Sequence, residues 1–154
     1  MSSQWERALG LAVATASVLA LGGCAHIVVL RDPLSASEHN DLGVAYETGG
    51  QPALAAKEYR KSLRLEPRQS RAWINLGNVE AAGGNWHDAE SAYRRALRES
   101  PTDPDAMNNL AVALLRQGRE RVEARTQAER ALAAWGERDS MYRATLAEVE
   151  RGAP

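Results

Sequence analysis

The chain repeats itself at a fixed interval. Gly77 has a counterpart at Gly43, Leu76 at Leu42, Ala89 at Ala55, Tyr93 at Tyr59 and Pro101 at Pro67, each 34 residues earlier. The same step forward carries Leu76 onto Leu110 and Gly77 onto Ala111. One inserted residue near Glu120 to Val122 then brings Ala124, Ala128 and Ala131 onto the small and aromatic positions of the unit, and Gly136 takes the place of the closing proline. A period of this length marks stacked supersecondary units, none of which buries its apolar face alone. Two well-formed units and one degraded unit must therefore pack side by side.

The residues inside the unit say what it is made of. Gly43, Gly77 and Ala111 fall midway along a first helix, and Ala55, Ala89 and Ala124 fall opposite them on a second. Small residues at both points allow close approach. Tyr59 and Tyr93 fill the space beside them, and Leu42, Leu76 and Leu110 share one buried stripe. Helix starts are marked by Ser35-x-x-Glu38, a capping box, by Pro52 after the Gly49-Gly50 turn, and by Asp103-Pro104. Ser70 and Asn85 are expected to cap the third and fourth helices, with Asp88 favourable in the first turn of the latter. A last helix is expected from Asp139 or Ser140 to about Arg151. Its Tyr142, Leu146 and Val149 recur at i, i+4 and i+7 and so lie back on the third unit.

The spacing Trp73-x2-Leu76-Gly77, with Ala89-x3-Tyr93 and Pro101, resembles the tetratricopeptide (TPR) repeat. Glu80 departs from the pattern where the family carries Tyr, and Tyr46 restores it in the first unit. The resemblance implies an all-α TPR solenoid. It has three helix-turn-helix repeats within residues 35–137 (36–69, 70–103 and 104–137) and a capping helix and tail at 138–154. In that family the first helix of each repeat lines a concave groove. The implied groove positions carry Asp41, Asn75 and Asn109; Val44, Asn78 and Val112; Asn40, Ile74 and Asn108; and Ser37, Arg71 and Asp105. Each asparagine amide offers two donors and an acceptor to an extended peptide, as in the Asn ladders of peptide-binding TPR proteins. Arg71 and Arg116 are the groove-side cations, and Ile74 and Leu115 its apolar spots. The family's clamp for chaperone tails uses Lys where Asn40 and Val44 stand, so that clamp is not expected here.

Residues 1–23 are a separate element. Arg7 precedes an uncharged, mostly apolar run from Ala8 to Leu21, shorter than the roughly 20 residues a membrane-spanning helix needs. Leu21-Gly22-Gly23-Cys24 resembles the bacterial lipoprotein signal. That resemblance implies removal of 1–23, acylation of Cys24 and a lipidated tether at 24–34. With Ala25 after the cysteine, it also implies an outer-membrane location facing the periplasm. Cys24 is the only cysteine, so no intramolecular disulfide forms, and lipidation gives the odd thiol a purpose. An uncleaved anchor, or a signal cut at another small residue, are the alternatives. The tether spans at most about 35 Å, and its Ile27 to Leu30 tetrad could pack on the first repeat, the preferred reading, form a short strand, or lie at the lipid interface.

Catalytic signatures are missing from the sequence. No phosphate-binding glycine loop leads into Lys-Ser or Lys-Thr, and no His-Glu-x-x-His occurs. His26, His39 and His87 lie in unrelated elements, without metal-ligand spacing. A net charge of −1 gives no support for a nucleic-acid partner. No catalytic residue, metal or cofactor is expected. The chain reads as a non-catalytic, membrane-tethered adaptor for a peptide or protein, in envelope assembly or secretion. In build it resembles pilotins and barrel-assembly lipoproteins. An accessory subunit of an envelope enzyme such as a papain-like peptidase, or a soluble TPR scaffold with an uncleaved N-terminus, are the alternatives.

Overall fold

The computed structural model describes residues 32–135 and 140–152. The signal segment, Cys24 and the tether up to Arg31 lie outside the described residues. The chain divides into Met1–Asp32 and Pro33–Pro154, and the second unit holds seven helices. These are α1 (Ala36–Thr48), α2 (Pro52–Leu65), α3 (Ser70–Ala82), α4 (Trp86–Glu99), α5 (Pro104–Arg116), α6 (Arg121–Trp135) and α7 (Ser140–Arg151). Among the described residues there is no strand, and no helix is long and apolar enough to cross a membrane.

The helices pack as three pairs, α1 with α2, α3 with α4 and α5 with α6, and α7 lies against α5 and α6. The backbones of first helices approach across repeats, α1 to α3 and α3 to α5, whereas those of α2, α4 and α6 stay farther apart. First helices therefore crowd the inner side of the curve and second helices splay on the outer side. This is what gives a helical solenoid a concave surface.

Close packing within each pair depends on a glycine facing a tyrosine. A Cβ built on Gly77 would stand 2.5 Å from Cε1 and 2.8 Å from Cδ1 of Tyr93. One built on Gly43 would meet the Tyr59 ring in the same way, 2.6 Å from Cδ1. Both rings are buried. Their hydroxyls stay satisfied: Tyr59 donates to Glu47 Oε2 at 2.7 Å and Tyr93 to Asn78 Oδ1 at 3.0 Å. The third repeat exchanges the two sizes, placing fully buried Ala111 and Ala128 where the others have glycine and tyrosine.

The expected insertion is visible as backbone. Three residues, 49–51 and 83–85, join the helices of the first two repeats, with Gly50 and Gly84 at φ 71° and 78°. Four residues, 117–120, join those of the third, where Glu120 joins Gly118 in the left-handed region at φ 52°. Ser35 and Glu38 form the capping box, and Asp103 accepts from Ala106 N–H at 3.0 Å. Two capping expectations are corrected. Ser70 lies inside α3, and its hydroxyl donates to Ala96 O at 3.2 Å. Asn85 makes no side-chain cap, because its amide donates to the buried carboxylate of Glu80 at 3.0 Å. Glu80 also accepts from Arg60 of α2, so the residue that departs from the family pattern ties the first two repeats together.

Candidate functional site

The inner surface is built from α1, α3 and α5, and hydrogen bonds between asparagines run along it. Asn75 Nδ2 on α3 donates to Asn40 Oδ1 on α1 at 3.0 Å, and Asn109 Nδ2 on α5 donates to Asn78 Oδ1 on α3 at 3.0 Å. Asn75 and Asn109 are equivalent positions 34 residues apart, but their acceptors are not, since Asn40 corresponds to Ile74 and Asn78 to Val44; each bond still joins one first helix to the next. The ladder is therefore partly structural. Replacing Asn75 or Asn109 removes a bond between repeats as well as surface chemistry.

Some hydrogen-bonding capacity remains. Asn75 Oδ1 and Asn78 Nδ2 take part in no hydrogen bond among the described residues. Both side chains are half-buried. Asn108 Oδ1 is the only buried side-chain polar atom left without a partner among the described residues, so the open atoms of Asn75 and Asn78 reach solvent. They stand three residues apart on one helix, where Cβ atoms are about 5–6 Å apart. One is an acceptor and the other a double donor. The N–H and C=O of one residue in an extended segment point to the same side, so this pair can receive both.

The remaining groove candidates fall into two groups. Asn40 lies beside Asp41, to which its amide donates at 3.4 Å, and Asp41 and Arg71 are exposed. Val44 is 43% exposed and gives the groove an apolar spot on α1. The other group is corrected by burial. Ile74 is packed against Ala96 and Ala106, and Leu115 lies in the cluster of Leu110, Leu114 and Val149. Neither contributes an apolar surface to the groove. Each sits where the next helix of the stack covers it.

The capping helix accounts for the rest. Asn108 is 3% exposed; its amide donates weakly to Asn109 Oδ1 at 3.4 Å, and its carbonyl has no partner. Tyr142 of α7 donates to Asp105 Oδ1 at 2.6 Å, and Arg116 pairs with Glu148 of α7 at 3.2 Å. Tyr142, Thr145 and Val149 are the buried residues of α7, with Leu146 only partly covered. Asp105 and Arg116, which continue the groove on α5, are thus engaged by the cap. Sequence position could not show this, because the partner helix that takes these groups lies outside the repeat pattern.

Two polar clusters lie away from the groove, one joining α4 to the third repeat and one inside the first repeat. Arg94 on α4 donates to Glu90 Oε1 at 2.8 Å, Glu120 Oε2 at 3.0 Å and Glu123 Oε2 at 2.8 Å. The Arg94 guanidinium holds the Glu123 carboxyl below the usual range. Burial works against ionisation of Glu90, but hydrogen bonds from Arg94 and Gln117 outweigh it and lower its pKa as well. In the first repeat His39 stands where the second has Trp73. It is 1% exposed, with Nδ1 2.7 Å from Glu58 Oε2. Among the described residues no group of three or more metal-ligating side chains assembles.

The chain matches the tetratricopeptide repeat family over residues 40–104 and 74–139, and it belongs to that family. It is 38% identical over 69 residues to the type IV pilus assembly protein PilF of Pseudomonas aeruginosa, covering 45% of this chain and 26% of that protein. It is 32% identical over 84 residues to the photosystem I assembly protein Ycf3 of Cyanophora paradoxa, covering 53% of this chain and 49% of Ycf3. The chain thus spans half or less of these relatives. Among solved structures, the first TPR of Spaghetti (RPAP3), bound to an HSP90 peptide, superposes with a TM-score of 0.72 at 18% identity, covering 78% of this chain and 94% of that one. That likeness is one of fold. TPR proteins generally mediate protein or peptide binding.

Proposed function

We propose that the protein is a membrane-tethered adaptor of the bacterial envelope that holds an extended peptide segment of its partner against α3. The observation that carries this reading is the open acceptor of Asn75 beside the open donors of Asn78. Both lie on the inner surface, where neighbouring amides are already satisfied. Backbone recognition by this pair supplies affinity without regard to sequence, while exposed Val44 and Arg71 supply preference for an apolar residue and a carboxylate in the bound segment. Tethering is supported by the apolar run from Ala8 to Leu21 that ends in Leu21-Gly22-Gly23-Cys24, with acylated Cys24 as anchor. An assembly or secretion role is supported by the likeness to PilF, whose name places it in pilus assembly.

Photocrosslinking in cells tests this. A photoreactive residue at Val44 or Val112, on α1 and α5, is expected to capture a partner. The same residue at Ser91, exposed on outer helix α4, is expected to capture nothing. Capture at 91 alone would place the partner on the outer surface and overturn the reading.

A further inference from the structure

The outer face of α2 carries a stripe that the repeat does not call for. Leu54, Lys57, Lys61, Arg64 and Leu65 project within roughly 100° of arc at about 100° per residue. Ala55, Ala56, Tyr59, Ser62 and Leu63 are buried on the opposite side. Leu54 and Leu65 are 39% and 56% exposed and stand about 17 Å apart along the axis. Between them lie Lys57 and Arg64, both exposed, and Lys61, which reaches Glu58 Oε1 at 3.2 Å. Arg68 follows in the next turn, also exposed. Glu58, at the edge of the stripe, is buried and pairs with Lys61 and His39, while Lys57, Arg64 and Arg68 have no carboxylate partner among the described residues.

The second repeat supplies an internal control. The same positions carry Asp88, Ser91, Arg95, Arg98, Glu99 and Thr102, all exposed. Two cations are offset there by two carboxylates, and no leucine occurs. Packing leaves this face to solvent in both repeats, so packing does not select the residues. The first repeat nevertheless has four cations, of which Lys61 meets the buried Glu58, and two exposed leucines. Lys57 and Lys61 are also the only lysines in the chain.

We propose that this face of α2 is a contact surface for anionic lipid headgroups. Long cationic side chains reach phosphates while their stems cover apolar surface. Leucines at both ends enter the interfacial region, as in helices that lie on membranes. Each cation near an anionic surface strengthens binding by about fivefold. A second copy of the chain is disfavoured, because the face would meet its own charge. A protein partner would be expected to find a pocket or an aromatic anchor, and the stripe has neither. The inference goes beyond groove binding and does not depend on acylation of Cys24.

The two lysines provide the measurement. The full chain is mixed with vesicles of phosphatidylethanolamine containing phosphatidylglycerol, or of phosphatidylcholine alone, and its amines are acetylated briefly and located by mass spectrometry. Lys57 is expected to be protected on the anionic vesicles only, and protection should fade in high salt as charges are screened. Replacing Arg64→Gln and Arg68→Gln should raise the lipid needed for half-protection by about thirtyfold, and adding Leu65→Ser should raise it further. Arg95→Gln with Arg98→Gln should change nothing. Equal reactivity of Lys57 on both vesicles, or protection that survives Arg64→Gln and Arg68→Gln, would overturn the proposal. So would protection without vesicles that grows with protein concentration, which would indicate self-association.

Discussion

Gly77→Ala is the smallest change that tests how the repeats are held together. The new Cβ would stand 2.5 Å from Tyr93 Cε1, 2.8 Å from Cδ1 and 2.9 Å from Cζ. The ring is 2% exposed, and its hydroxyl is held on Asn78, so it has little room to move. Overpacking of this kind costs about 1–3 kcal/mol. Against it stands a gain of about 1 kcal/mol from removing a mid-helix glycine, so the net loss should be up to about 2 kcal/mol. Tyr93→Ala alone opens a cavity and should cost about 3–5 kcal/mol. In that background the obstacle is gone, and Gly77→Ala should stabilise by up to about 1 kcal/mol. The double variant recreates the Ala111 and Ala128 arrangement of the third repeat. Reversible urea unfolding of the four proteins, followed by circular dichroism, gives the cycle. If Gly77→Ala stabilises in both backgrounds, the glycine does not serve the tyrosine and the reasoning fails.

The other predictions follow from single contacts. Asn108→Ile copies Ile74, its counterpart one repeat earlier, and removes a buried carbonyl without a partner, so the midpoint of unfolding should rise by the equivalent of about 1 kcal/mol; a fall would mean that the amide bond to Asn109 matters more. Truncation before Ser140 uncovers Met107 and Ala131 and frees Asp105, and should abolish cooperative unfolding or cause aggregation; an unchanged melt would show that α7 is not docked. Glu90 and Glu123 have folded-state pKa values below their ordinary 4.5, so their stabilisation is fully present above that pH and is lost as pH falls through the lowered values. Arg94→Met should therefore flatten the decline of stability on the acid side, and an unaltered pH profile would show that the cluster contributes nothing. Mass spectrometry of protein from membranes should find Cys24 as an acylated N-terminus, and an intact Met1 would remove the anchor.

The repeat architecture was legible because size reciprocity recurs. Gly43 with Tyr59 and Gly77 with Tyr93 leave the same trace 34 residues apart, and the third repeat departs from it with alanine on both sides. The insertion near Glu120 was legible for the same reason, as a shift in that register. The state of the groove was not. Ile74, Asn108 and Leu115 occupy positions that family resemblance assigns to an inner surface, yet burial depends on which helix comes next. Ala106 of α5 covers Ile74, and α7, which has no repeat signature, takes the polar groups of α5. Nor could sequence show that Asn75 and Asn109 bond to other asparagines, since an amide ladder that binds peptide and one that joins repeats have the same spacing. Asn85 stands at the cap position of α4, but its amide is held by Glu80, which stands where the pattern has Tyr.

Asn78→Asp separates binding from folding most directly. The aspartate keeps an oxygen to accept from Asn109 and Tyr93, so both internal hydrogen bonds survive. It loses only the donors of Nδ2, and would turn a carboxylate oxygen toward the carbonyl of a bound segment. Affinity for the partner captured at Val44 or Val112 is measured by calorimetry, beside the melting temperature of each protein. The account predicts an affinity roughly ten- to a hundredfold weaker, from one lost hydrogen bond and one carbonyl left unpaired, with melting unchanged. Full affinity with unchanged melting would contradict it, because the partner would then bind without using the one pair of open amide groups on α3.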